Sequence, residues 1–364
     1  MRILITNQIL SVRAGTESFV RDLARGLQSL GHTVMAYTSD LSRVQRLLER
    51  DLIPVTTDPG KLPVFPDIIH AHHHLDAMSA LTALPGVPAI YHHHGGPWQF
   101  SPPVHPRIHH CLVNSRSVAA SWQALPGLSA SEITFFPHPL DSSRFLKVRK
   151  PFARPARALL VDSRLSEQCP AFTDALEAAR RCGLALELGG PEFAPGGFDT
   201  EHILPEYDLV FACGSTALEA LACGCLVVAT APDGRCELVR QDNFERLRQE
   251  NFTPGENAPT VPFLQMAELV RLCNSAQAEI LCEKVRRETD FPPAVASLVE
   301  IYGRVIERQR HTKSDLPAEG HAISNYLRML QPSIMQANEI RDSNWPLRVG
   351  WQHHSIATDT ARHG

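Results

Sequence analysis

Short apolar runs alternate with longer amphipathic segments along most of the chain. Residues 2–6 (RILIT) and 33–38 (TVMAYT) have the pattern of buried strands. Between them, the apolar residues of segment 15–32 recur at helical spacing and predict one apolar helix face. Strands that alternate with helices in this way are typical of βα units, in which parallel strands are buried on both faces.

Three further strand patterns end in polar residues, many of them histidine. They are 66–72 (PDIIHAH), 87–96 (VPAIYHHHGG) and 109–115 (HHCLVNS), and residues 131–141 close this half of the chain. In open parallel sheets, ligands bind outside the carboxyl ends of the strands. The polar strand ends are therefore predicted to face a binding cleft.

A change in composition predicts two domains. Residues 1–146 form the first α/β series, the Pro- and Arg-rich stretch 147–157 is a predicted linker, and residues 158–291 form a second series. We expect an α/β fold of two Rossmann-like, doubly wound parallel-sheet domains facing an interdomain cleft. A helix over 292–310 is predicted to return to the first domain. The tail, 311–364, is predicted to be partly helical with a disordered end.

Composition excludes several classes of protein. The 364 residues are 43% hydrophobic and 20% charged, as in globular proteins, and the net charge of −4 gives no reason to expect nucleic acid as a partner. No apolar run is long enough to span a bilayer. The N-terminal segment carries Thr6, Asn7 and Gln8 where a secretory signal would be apolar. With nine cysteines, an odd number that suits reduced thiols, we expect a cytoplasmic protein.

The stretch 214–230 (GSTALEALACGCLVVAT) places one carboxylate between a Gly-Ser-Thr turn and a buried strand. Gly214 permits an unusual backbone angle, and Ser215 or Thr216 is predicted to cap the helix that follows. The N-terminus of that helix would suit a phosphate. Glu219 either completes a capping box with Thr216 or is a ligand-binding carboxylate, and the spacing leaves both open.

Histidines cluster in 70–74, 92–94 and 105–110, as metal ligands often do. No carboxylate or cysteine pattern completes a tetrahedral set, and strand alternation points adjacent residues to opposite faces. We therefore predict histidines that line the cleft or the surface, and no metal site.

Segment 214–239 resembles the donor-site segment of family 4 glycosyltransferases. In that family, two glutamates separated by seven residues precede an Ala-x-Ala-x-Gly-x-Pro-Val-Val-Ala pattern. Other stretches resemble that family in the same order, over about residues 1 to 305. These stretches are 15–34 (Gly-rich loop, helix and Gly-His-x-Val), 66–74 (Pro-Asp-x-x-His-x-His), 87–96 (strand ending in His-Gly), 135–145 (Pro-Asn-Gly-x-Asp-x-x-x-Phe) and 159–165 (Gly-Arg-Leu).

The resemblance implies a GT-B fold and transfer of a sugar, with retained anomeric configuration, from a UDP-, GDP- or other nucleotide sugar. It implies no cofactor and no metal. The expected catalytic residues are Arg164, which would bind the diphosphate, and His94, which lies at the donor-sugar end. Glu219 would bind the ribose hydroxyls. The other expected donor-binding residues are Gly15, Gly190, Gly214, Ser215, Thr216 and Glu237, the last of which could instead hold its own loop.

The resemblance leaves the acceptor open among a glycan, a lipid, a small molecule and a protein. The oligomeric state is open too. Arg107 and Arg116, with nearby histidines, could form a basic patch for weak peripheral contact with a membrane.

Two positions depart from the family pattern. Phe211 stands where the first glutamate of the pair is expected, and Cys169 stands where a lysine usually helps to bind diphosphate. Pro137-His138-Pro139 replaces the Pro-Asn-Gly turn. Two alternatives therefore accompany the glycosyltransferase: a non-catalytic nucleotide- or glycan-binding protein on the same fold, and a sugar-nucleotide epimerase.

Overall fold

The chain forms two α/β units, each built on a mainly parallel sheet. This architecture, seen in a computed structural model, confirms the predicted fold class. The structure describes residues 1–8, 15–39, 48–94, 103–124, 132–146, 148–161, 176–177, 179–189, 200–231, 235–255 and 274–343.

The first sheet contains seven described strands, all parallel, in the order β3-β2-β1-β4-β5-β6-β7. The order reverses between β1 and β4, as in doubly wound folds, where the crevice at the reversal is the usual ligand site. The strands are β1 (Arg2–Thr6), β2 (Thr33–Tyr37), β3 (Val55–Thr56), β4 (Ile68–Ala71), β5 (Ala89–His93), β6 (Ile108–Val113) and β7 (Ile133–Phe135). The helices of this unit whose full span is described are α1 (Gly15–Ser29), α2 (His74–Ala83) and α3 (Arg116–Gln123).

The second sheet contains five described strands in the order β12-β11-β10-β8-β9, of which β12 alone pairs antiparallel to its neighbour. The strands are β8 (Arg157–Val161), β9 (Ala185–Gly189), β10 (Leu209–Ala212), β11 (Leu226–Thr230) and β12 (Cys236–Leu238). The helices whose full span is described are α4 (Thr200–Ile203), α5 (Gly214–Ala222), α6 (Phe244–Gln249) and α7 (Ser275–Glu288). Part of the predicted helix over 171–183, and residues 263–273 of the long helical segment, lie outside the described residues.

Two segments connect the units, side by side. The segment after β7 inserts Leu140 and Phe145 into the second core. Helix α8 (Phe291–His311) returns to the first core, where it buries Phe291, Val295, Leu298, Ile301, Tyr302 and Val305. The Leu140 N–H donates to the Thr289 carbonyl over 2.7 Å, just before α8 begins. Both crossings therefore lie at one place, next to the cleft.

The last described helix, α9 (Leu316–Ser343), packs on the first unit. Glu319 pairs with Arg107 over 3.0 Å, and the Tyr326 hydroxyl lies 2.6 Å from His74 Nδ1. Arg107 is only 3% exposed, so it is not part of a basic surface patch, and the predicted membrane patch is wrong at this residue. Arg116 is exposed. Among the described helices, none is long and apolar enough to cross a bilayer.

Candidate active site

Helix α5 begins directly at the end of strand β10, after the single residue Cys213. Cys213 is the N-cap, and its side chain does not cap the helix. Ser215 and Thr216 lie inside the first turn, so the predicted cap at either residue is wrong, and with it the capping box to Glu219. Because one residue separates β10 from α5, the helix begins before Ser215 and Thr216.

Gly214 provides the sharp turn between strand and helix. Its φ of +60° is one that residues with a Cβ rarely adopt. Its N–H donates to the Asn251 carbonyl over 2.9 Å and is therefore not available to a phosphate. Among the described residues, none hydrogen-bonds to the hydroxyls of Ser215 and Thr216, which are half-buried at the free end of the helix.

Glu219 lies one turn beyond Ser215 and is 7% exposed. Burial raises its pKa to about 7. Arg144 and a hydrogen bond from Thr200 lower that pKa in part, whereas the nearby carboxylates of Asp22 and Glu201 raise it. At neutral pH this carboxyl group therefore changes between its neutral and charged forms.

Arg144 holds a set of carboxylates together across the two units. Its Nη1 donates to Asp22 Oδ2 over 2.5 Å, and its Nη2 donates to Glu201 Oε2 over 3.0 Å. Asp22 belongs to α1 of the first unit, whereas Glu201 and Glu219 belong to the second. Burial raises the pKa of Asp22 to about 6, although Arg144 opposes the shift. We call these four side chains the Arg144 cluster.

Sequence reasoning did not identify Asp22 or Arg144. One signal was present: Asp22 follows Phe19 by three residues, so it lies beside Phe19 at the edge of the apolar face of α1. A carboxylate in that place needs a partner from another element.

A small cavity lies between the two units, next to the Arg144 cluster. Its volume is about 20 Å³, enough for one water molecule. The first unit and the crossing segment contribute Ser18, Phe19, Asp22, His138, Pro139, Leu140, Asp141, Arg144, Phe145 and Phe291, and α5 contributes Ser215, Leu218 and Glu219. Ser215 and Glu219 therefore point to the same space from one face of α5.

His94 follows β5 and is half-buried. Burial, reinforced by neighbouring histidines, holds the pKa of His94 well below its usual value, so the imidazole is neutral at pH 7. Its Nε2 lies 2.6 Å from His72 Nδ1, and its Nδ1 lies 3.3 Å from His138 Nε2. Both ring nitrogens therefore contact other histidines, and neither is available to a sugar hydroxyl in this arrangement.

The strand-end histidines are buried rather than exposed. His70, His72 and His92 are 0%, 0% and 2% exposed. The prediction placed the histidines along the cleft or the surface, and for these three the surface is wrong. Alternation does separate adjacent residues, but residues two apart share a face. Because β4 and β5 are neighbours, their histidines meet on that face.

Glu237 lies in β12 and is 5% exposed. Its Oε1 accepts a hydrogen bond from Asn243 Nδ2 over 2.9 Å and pairs with Arg246. These contacts tie β12 to α6, which is the loop-holding role that the sequence left open.

The remaining predicted site residues do not enter this geometry. Arg164 and Gly190 lie outside the described residues, as does Cys169. Gly15 is the first residue of α1. Phe211 is 3% exposed in the core of the second sheet, so its side chain does not face the cleft.

Comparison with known proteins finds similarity in structure only. No family model matches the chain, and no curated protein matches its sequence. HepE from Anabaena, solved with UDP and glucose, superposes with a TM-score of 0.61 at 17% identity, over 84% of this chain and 100% of HepE. A glycosyltransferase from Rickettsia africae gives 0.58 at 14% identity, over 84% and 98% of the two chains.

Sucrose-phosphate synthase from Thermosynechococcus elongatus also gives a TM-score of 0.58, at 14% identity over 85% of this chain and 100% of the synthase. Identities this low establish the architecture, not the reaction. Two units on mainly parallel sheets, joined by two adjacent crossings with a cavity between them, make this chain a protein of the GT-B fold.

Proposed function

We propose that this protein is a retaining glycosyltransferase of the family 4 type, which transfers a sugar from a nucleotide diphosphate sugar to an acceptor. One observation carries the proposal: on the GT-B fold, Ser215 and Glu219 line the cavity between the two units from one face of α5. Because HepE was solved with UDP-glucose, UDP-sugars are the first donors to test.

The charges of the Arg144 cluster indicate which part of the donor would lie next to it. The Arg144 cluster combines one cation with three carboxylates, so it repels a diphosphate but suits a neutral diol. We therefore assign the ribose hydroxyls to Glu219. The diphosphate belongs at the N-terminal turn of α5, where the hydroxyls of Ser215 and Thr216 and the positive end of the helix dipole would meet it.

Departure of the diphosphate is the step that most needs stabilisation, because negative charge develops on its oxygen. We assign Arg164 to this charge, since a guanidinium offers forked donors to phosphate oxygens. The departures at Phe211 and Cys169 remove two donor contacts that the family pattern would supply. The helix terminus and Arg164 would then carry the binding of the diphosphate.

Titration calorimetry with UDP, GDP, ADP and their glucose conjugates tests this assignment. We expect micromolar binding of one nucleotide, which is lost in Glu219→Gln and in Arg164→Ala. Glu307→Gln is the matched control, because Glu307 is an exposed carboxylate on α8 whose partners are local. Since the ionised Glu219 accepts both ribose hydroxyls, affinity is expected to rise as the pH increases from 6 to 8.

Proton NMR of the donor with a panel of acceptors then separates the alternatives. A glycoside product with the anomeric configuration of the donor supports retaining transfer, whereas inversion contradicts it. Conversion of the donor sugar without an acceptor identifies an epimerase. Nucleotide binding without turnover favours the non-catalytic protein, a reading supported by the burial of Phe211 in the core. Absence of binding across the panel refutes the proposed donor site.

A further inference from the structure

Three histidines gather at the carboxyl ends of β4 and β5. His70 and His72 are two residues apart and share one face. His70 is paired with Ile90, so His92, two residues further along β5, shares that face as well. Each of the three offers one ring nitrogen, and these nitrogens all lie within 4.8 Å of one another.

The outer nitrogens of two of these rings are already anchored. His70 Nδ1 lies 2.5 Å from the Tyr302 hydroxyl of α8, and His72 Nδ1 lies 2.6 Å from His94 Nε2. Metal-binding histidines are commonly oriented in this way, by a hydrogen bond to the nitrogen that does not bind the metal. The anchoring leaves His70 Nε2 and His72 Nε2 as the candidate ligand atoms.

Of the inner nitrogens, one has no partner in the described part of the chain and two pair with each other. His72 is fully buried, and its Nε2 has no hydrogen-bond partner among the described residues, a rare condition for a buried polar atom. His70 Nε2 lies 3.2 Å from His92 Nδ1. Ligand nitrogens of a tetrahedral zinc ion are separated by about 3.3 Å, given zinc–nitrogen bonds of 2.0–2.1 Å.

We propose that His70, His72 and His92 bind one divalent transition-metal ion, with Zn²⁺ as the ion to test. Imidazole nitrogens suit zinc, copper and nickel, whereas magnesium and calcium require oxygen ligands. Three histidines leave a fourth position for water or another ligand. This site replaces the sequence-based expectation of no metal, and it does not depend on the proposed glycosyl transfer.

A series of contacting histidine rings connects the proposed metal site to the cavity between the units. His72 contacts His94, His94 contacts His138, and His138 lines the cavity between the units. A metal on His72 would fix the ring of His94 behind the cleft. We therefore regard His70, His72 and His92 as ligands and Tyr302 as a positioning residue.

Metal binding is measured on the full chain without an affinity tag, stripped with EDTA and titrated with Zn²⁺ against a chromophoric chelator. We expect one equivalent to bind and to raise the melting temperature until that equivalent is reached. His72→Gln and His92→Gln should each weaken binding at least a hundredfold. Tyr302→Phe should weaken it about tenfold, as expected for loss of an orienting partner.

Two controls identify other sources of binding. His110→Gln alters a histidine of the same unit whose Nε2 pairs with Thr134, outside the cluster, and should leave binding unchanged. Replacing His353 and His354 by alanine removes the adjacent pair of the tail and should also leave it unchanged. Loss of binding in the tail variant overturns the proposal.

X-ray absorption of the zinc-loaded wild-type protein decides the question even where a variant fails to fold. Three imidazole ligands at about 2.0 Å support the site. A zinc coordination shell made only of oxygen ligands, or one that contains a single imidazole, overturns it. Failure of the wild-type chain to bind one equivalent also overturns it, and then the rings form a hydrogen-bonded stack without metal.

Discussion

Replacing Glu219 by glutamine should stabilise the protein while abolishing nucleotide binding. The substitution keeps the shape of the side chain and an oxygen that can accept the hydrogen bond from Thr200. It removes a charge that is 7% exposed and lies near the carboxylates of Asp22 and Glu201. Arg144 keeps both of its direct carboxylate partners.

The size of the effect follows from the pKa of Glu219, which burial raises from an ordinary 4.5 to about 7. Between these two values the folded protein keeps a proton that the unfolded chain has lost, so stability falls as the pH rises. Above pH 7 the loss is complete. A difference of about 2.5 pKa units corresponds to about 3 kcal/mol. Glu219→Gln should therefore gain about 3 kcal/mol at pH 8 and almost nothing at pH 4.5.

Urea unfolding of wild type and Glu219→Gln, followed by far-UV circular dichroism at pH 5 and pH 8, measures the gain. Glu307→Gln serves as the control, because Glu307 is exposed and hydrogen bonds with His311 and Arg310 lower its pKa. That variant should show no gain at pH 8. A Glu219→Gln variant that is equally or less stable than wild type at both pH values would refute the view that burial of this charge is costly.

Two further substitutions test the other buried charges. Arg144→Met should lower stability by about 3–5 kcal/mol at pH 8, since it leaves buried carboxylates without their cation. This loss of stability should shrink towards pH 5, because Asp22 and Glu219 take up protons there. Urea unfolding at both pH values measures the loss, with the exposed Arg310→Met as control. Glu319→Ala should leave the buried Arg107 guanidinium without its carboxylate and loosen the docking of α9 by about 3 kcal/mol. Faster hydrogen exchange within α9, with Arg328→Ala as control, is the expected result, and unchanged exchange would contradict it.

The sequence was informative wherever the relevant pattern is local. The alternation of apolar runs and helical faces predicted most strands of both sheets, because burial on both faces requires continuously apolar strands. It did not predict the short strands β3 and β12. The pattern also placed the start of α5 near Gly214. It missed the cap, since capping by Ser215 or Thr216 depends on the length of the connection from β10 rather than on residue type.

The parts of the site that could not be predicted depend on contacts between distant residues. Asp22 meets Arg144 across 122 positions, and His70 meets Tyr302 across 232 positions. Nothing in the local pattern around either residue encodes its partner. The histidines illustrate the same limit, because their shared face follows from the adjacency of β4 and β5, which is a property of the sheet order.

Placing a glutamate at position 211, where the pattern of family 4 glycosyltransferases has its first glutamate, should damage this protein. Phe211 lies within β10 and packs in the core between the sheet and its covering elements, and only Cys213 separates that strand from α5. Phe211→Glu would bury a carboxylate without a partner and lower stability by about 3–5 kcal/mol. Phe211→Leu, which keeps an apolar side chain, should cost about 1 kcal/mol. Equal stability of the two variants in urea would show that a carboxylate at position 211 escapes the core, and would refute this account of Phe211.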